Sequence, residues 1–227
     1  MSYEPKSFFE QPAQYLHKNF GIRLRKQIID RLLGEKPRNQ IILDIGCGDG
    51  SLSVDWLSEN EVYFCDFSKP MLDLVESRLQ PTERPKAHFL HTSLEELKVN
   101  KKPNVILCIG VLAHVPSIQK AISTIADLSG RETKLVLQMT DDHHPLNRLY
   151  HLGGGRKQRV NKIDESQLLK SLNEVGFGLI VKERFQLLFP GMGRLPDNWL
   201  FAFQSFVQMI GLGRLMGQDI MMVFKKK

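Results

Sequence analysis

Ile41-Ile42-Leu43-Asp44-Ile45-Gly46-Cys47-Gly48-Asp49-Gly50 is the stretch whose reading decides the fold. An apolar run with β-branched residues meets three glycines on alternate positions, and a helical pattern follows from Ser51. This predicts a buried strand, a tight turn and the opening of a helix. Glycines at 46, 48 and 50 let the backbone approach a ligand where a Cβ would collide. A helix starting there would aim its free N–H groups into the crevice. The spacing is G-x-G-x-G, not the G-x-G-x-x-G of a dinucleotide turn, and Ser51 stands where the third glycine would fall.

The same pattern recurs downstream. Residues 61–66 read as a second strand ending in Asp66, a carboxylate able to accept both hydroxyls of a ribose. Ser68 is the expected N-cap of the next helix, with Pro70 in its first turn. Residues 87–91, 104–110 and 134–140 give three further strands, with helices between them. Asp164 opens a helix through Glu174, and Gly176 stops it. Residues 178–188 and 218–224 read as the sixth and seventh strands. The expected fold class is α/β, a Rossmann-like, seven-stranded, mostly parallel sheet with helices on both faces.

The run Asp44 to Gly50, with Cys47 inside it, resembles motif I of the class I methyltransferases that use S-adenosylmethionine. Asp66-Phe67-Ser68-Lys69-Pro70-Met71-Leu72 resembles the family's "D-x-S-x-x-M-L" run, and Asn104 to Val115 resembles its "D-l-V-v-x-x-x-v-L-h-H-v" segment. The last two strands resemble the antiparallel hairpin that closes the family's sheet. The resemblance implies that Asp44 holds the glycine loop and the amino group of the methionine moiety. Phe67 and Met71 would sandwich the adenine, and Thr92, Ser93 and Leu94 would line it. Ser93 stands where the family shows an acid, which makes that contact a neutral one. Ile109 and Gly110 would lie near the transferred methyl group. The resemblance covers residues 40–140 closely and the segments after 164 more loosely.

Around this core, apolar positions from 12 to 33 recur at helical spacing. Residues 1–37 are therefore expected as an N-terminal helical segment, either packed on the sheet or capping the site with Tyr15 reaching the cofactor. Residues 38–227 form the methyltransferase-like domain, with a helical, lid-like insertion at about 189–217. Residues 199–210 within it are strongly apolar, with Gln204, Ser205 and Gln208 on one helical face. That helix is either buried against the body or an interfacial lid.

The expected activity is transfer of a methyl group from S-adenosylmethionine to a small-molecule acceptor, apolar or acidic, most readily at oxygen, with S-adenosylhomocysteine as product. His114 is the candidate base, because it follows the fourth strand and an imidazole titrates near neutrality. A structural role for it stands beside that reading. His143 and His144 are adjacent and point apart in extended chain, so no metal site is expected. An RNA methyltransferase and a non-catalytic S-adenosylmethionine-binding regulator are the alternatives.

The chain has 227 residues, with 42% hydrophobic and 25% charged residues, as expected of one globular core. Its net charge of +6 is spread out apart from residues 156–159 and 225–227, so no basic stripe urges a nucleic-acid partner. Three cysteines without metal-ligand spacing, no apolar leader and no membrane-length run point to a cytoplasmic protein.

Overall fold

The computed structural model describes residues 19–152 and 161–227. Chain order is α1 (Asn19–Leu33), β1 (Ile41–Ile45), β2 (Glu61–Asp66), α2 (Lys69–Arg78), β3 (Ala87–His91), β4 (Val105–Ile109), α3 (Ile118–Leu128), β5 (Lys134–Thr140), α4 (Pro145–Leu152), α5 (Glu165–Glu174), β6 (Phe177–Phe185), α6 (Asp197–Met209), α7 (Leu212–Met216) and β7 (Asp219–Lys226).

The strands form one sheet in the order β3-β2-β1-β4-β5-β7-β6. The pairs among β1 to β5 are parallel, and β7 runs antiparallel to both β5 and β6. The chain winds outward from β1 to β3 and then resumes on the other side with β4. The order therefore reverses between β1 and β4, where an open α/β sheet leaves a crevice outside its carboxyl ends.

Alternation along each strand divides the core between two faces. On one face Leu43, Ile106 and Leu137 pack with Ile122 and Ile125 of α3 and Leu168 and Leu172 of α5. On the other, Ile42, Leu107 and Val136 pack with Leu24 and Ile28 of α1 and Leu72 and Val75 of α2. Residues 19–33 thus lie on the sheet face. Asn104, where the family motif has an acid, accepts the Ile41 amide at 2.9 Å and ties β4 to β1. Asp164 caps α5 by accepting the Gln167 amide, as its position predicts.

Two expectations need correction. No α-helix follows the glycine turn. Residues 51–59 close as successive turns with a single 3₁₀ turn at Val54–Trp56. Ser53, which is buried, donates its hydroxyl to Asp44 Oδ2 at 2.6 Å and ties this segment to β1. Meanwhile the amides of Trp56, Leu57 and Glu59 bond three residues back, as a tight turn requires.

The second correction concerns the insertion, whose helix α6 buries the polar Gln204 together with Leu200 and Val207 while other apolar side chains point outward. Gln204 is 0% exposed, and it clamps both backbone groups of Leu187, accepting from N–H at 2.9 Å and donating to C=O at 2.6 Å. Trp199 and Met209 are 73% and 76% exposed. A buried amide is tolerated because the connector 186–188, just beyond β6, would otherwise leave backbone groups unpaired.

The turn after β1 is held by close packing as well as by conformation. Gly46 has φ +64°, and a Cβ there would stand 2.5 Å from Val111 Cγ2. Gly46→Ala is expected to lower unfolding stability by about 1–3 kcal/mol, read by urea titration. Adding Val111→Ala should recover part of the loss, whereas an unaltered Gly46→Ala protein would contradict this packing.

Candidate functional site

The carboxyl ends of β1, β2 and β4 meet at the reversal point, and the glycine loop is stitched to β2 across it. The Cys47 amide donates to the Cys65 carbonyl at 3.0 Å, and the Gly48 amide donates to Asp66 Oδ2 at 2.9 Å. The other oxygen of Asp66 accepts the Ser68 amide at 2.8 Å, at the start of α2. Asp66 thus joins the loop to the helix it faces. Carboxylate oxygens have spare lone pairs, so Asp66 can still accept from a ligand.

The donors of this turn are largely consumed within it. The Gly50 amide goes to the Cys47 carbonyl, and the Ser51 amide to Asp49 Oδ1 at 3.2 Å. Three carboxylates remain around the loop. Asp49 is buried and pairs with Arg78 Nη1 at 3.1 Å. Asp44, at 1% exposure, is raised from 3.8 to about 7, chiefly by burial; the Ser53 hydrogen bond opposes the rise, and the charges of Asp66 and Asp49 add to it. Burial also pushes Asp66 up, against the amide bonds it receives. A cluster of acids, one of them paired with Arg78, beside amides that are largely engaged suits a cationic ligand carrying hydroxyl donors. It is poorly matched to a phosphate, which needs the opposite.

The other predicted residues divide between edge and core. Phe67 is half-buried at the edge, and its carbonyl accepts from His91 Nε2 at 3.0 Å. Thr92 adjoins Asp66, donating its amide to the Asp66 carbonyl at 3.1 Å. Ser93 precedes the 3₁₀ turn Leu94–Glu96, and its carbonyl accepts the Glu96 amide. Ile109 and Gly110 are half-buried at the end of β4. Leu94 packs into the α3–α5 core and Cys47 into the α1–α2 core, while the Met71 side chain is fully buried on α2. All three side chains are buried. Tyr15 lies outside the described residues, as does the basic segment 156–159.

His114 sits in the turn after β4, its amide donating to the Val111 carbonyl at 2.8 Å. Val111 is the residue against which Gly46 packs, so the glycine loop and the His114 turn touch. Burial lowers the imidazole below its usual value, which keeps it neutral and able to take a proton near pH 7. His143 and His144 serve α4. His144 Nδ1 accepts the Leu146 amide, and His143 Nδ1 lies 3.3 Å from Arg148. Among the described residues, no three His, Cys, Asp or Glu side chains could share a metal ion.

Asp49, Ser53 and Arg78 were not singled out from sequence. Asp49 carries a signal, being an acid inside the glycine turn; Ser53 and Arg78 become legible only from their partners. Two open cavities of about 600 and 480 Å³ lie elsewhere, between α1, β6, α6 and α7. Arg31 and Arg214, which line both, pair with the buried Glu183 beside them.

The reversal point and its acid-lined glycine loop define a nucleoside-binding α/β domain. The chain belongs to the methyltransferase-domain family, whose model matches residues 15–181. It is 28% identical over 116 residues to the ubiquinone biosynthesis O-methyltransferase of Rickettsia akari, covering 47% of this chain and 43% of that protein. It is 25% identical over 147 residues to the magnesium-protoporphyrin O-methyltransferase of a Synechocystis strain, covering 61% and 63%. The chain thus spans under two thirds of the length of these curated relatives. The crystal structure of magnesium protoporphyrin IX methyltransferase (ChlM) from Synechocystis PCC 6803 with bound SAH shares the fold, with a TM-score of 0.60 at 19% identity, over 89% of this chain and 83% of that one. Among the described residues, no helix is long and apolar enough to cross a membrane.

The Asp44 shift has a sign that can be tested. Its folded pKa lies above the unfolded value, so its contribution to stability is full below about pH 4 and is lost as pH rises through about 7. Asp44→Asn should match wild type at pH 4 and exceed it increasingly toward pH 8. Denaturant titration at the two pH values measures this, and equal curves at pH 8 would contradict the burial argument.

Proposed function

We propose that this chain is an S-adenosylmethionine-dependent methyltransferase that methylates a small-molecule acceptor at oxygen and leaves S-adenosylhomocysteine. The observation that carries this reading is the acid-lined crevice between β1, β2 and β4, where Asp44, Asp49 and Asp66 surround a glycine loop whose amides are engaged. The residues fit the group. Asp66 would accept the ribose hydroxyls, as an acid at the second strand tip does in nucleoside folds. Asp44 would face the cationic methionine end, and Gly46, Gly48 and Gly50 would leave room beside it. Phe67, Thr92 and Ser93 would border the adenine, and Ile109 and Gly110 the methyl group.

When bound, the sulfonium supplies an activated methyl group and its own leaving group. What is left to this chain is chiefly alignment, which contributes about 7–11 kcal/mol in well-oriented systems. His114, neutral and adjoining the glycine loop through Val111, is placed to take the proton of an acceptor hydroxyl. The O-methyltransferase relatives support oxygen as the nucleophile. Residues 189–217, beyond the span of the family model, would then shape the acceptor's entry.

Calorimetry with S-adenosylhomocysteine, paired with product-release assays, tests the assignment. Asp66→Ala should weaken binding about 10-fold or more, since hydrogen bonds to a charged group contribute about 1.5–3 kcal/mol. His114→Ala should keep that affinity and lower turnover. Unchanged binding in Asp66→Ala would reject the pocket, and unchanged turnover in His114→Ala would leave that histidine structural.

A further inference from the structure

β5 reads Lys134-Leu135-Val136-Leu137-Gln138-Met139-Thr140, with one carboxamide amid apolar residues. Gln138 is only 2% exposed and stands in register with Ile109 of β4 and Met221 of β7. Its side-chain oxygen has no hydrogen-bond partner. An unpaired buried carbonyl costs about 1–3 kcal/mol, and a leucine or methionine would fill the same space without that cost. The side chain leans toward the carboxyl edge of the sheet. A Cβ built on Gly110, the residue after β4, would lie 3.3 Å from the Gln138 oxygen.

The direction of that oxygen matters because of the sheet order. The acids Asp44 and Asp66 lie on β1 and β2, on one side of β4, and Gln138 lies on β5, on the other. On the methyltransferase reading, on which this inference rests, the methyl group lies beside Ile109 and Gly110. In-line displacement then puts the acceptor opposite the sulfur, over β5. We propose that the Gln138 carboxamide oxygen binds the acceptor, receiving a hydrogen bond from a hydroxyl next to the oxygen that is methylated. Gln138 orients the acceptor and selects for a second donor. A site built to pair with a substrate hydroxyl rejects the analogue that lacks it, because its own polar atom is then left unpaired.

The test uses Gln138→Met, close in volume and without the carbonyl, with catechol and phenol as probes. Wild type should release S-adenosylhomocysteine faster from catechol than from phenol. Gln138→Met should lower kcat/KM for catechol about 10-fold or more, to the level of phenol, with affinity for S-adenosylhomocysteine within about 2-fold of wild type and an equal or higher Tm. An unchanged catechol-to-phenol ratio would overturn the proposal. A variant melting several degrees below wild type would assign the carboxamide a structural partner and overturn the proposal. Failure of wild type to bind S-adenosylhomocysteine would instead reject the methyltransferase reading itself.

Discussion

The carboxylate of Asp66, shared between the Gly48 amide and the Ser68 amide, is the contact on which the site depends. It fixes the glycine loop of β1 against the helix that follows β2, so two crossovers converge on one edge of the sheet. The Gly46–Val111 contact then brings in the turn after β4. Three strand ends become one surface through two short-range constraints, a charged hydrogen bond and a position too tight for any side chain but glycine's hydrogen.

This convergence concentrates negative charge. Asp44, Asp49 and Asp66 meet at this edge, and burial chiefly raises Asp44 to about 7, with the charges of Asp66 and Asp49 adding to the rise. Like charges held close in low dielectric destabilise the fold, and a cation arriving in the crevice relieves that repulsion. That electrostatic preference matches the cation of the proposed cofactor. Gln138 shows the same logic on the proposed acceptor side, where an unpaired carbonyl is kept at a position that an apolar residue could fill.

The strands were legible because buried parallel strands leave apolar runs whose ends are marked by glycine or acid, as at Ile41–Ile45 and Glu61–Asp66. Sheet closure by an antiparallel pair was legible only through family resemblance, since strand order is not a local property. The succession of turns after Ser51 replaces the expected helix, and the Ser53–Asp44 bond that ties it to β1 has no signature in local sequence. Leu94 and Met71 sit at the motif positions with their side chains buried, a degree of burial that motif spacing alone does not encode. In α6 the periodicity was present, but Gln204 serves a connector distant in sequence, so polarity misreports its inner face.

A crystal structure of the protein soaked with S-adenosylhomocysteine tests the central claim most directly. The account predicts the ribose hydroxyls on Asp66, the adenine beside Phe67 and Thr92, and the amino-acid end between Gly46 and Gly110. Density for the compound elsewhere, with the edge beside Gly46 and Asp66 empty, would contradict it.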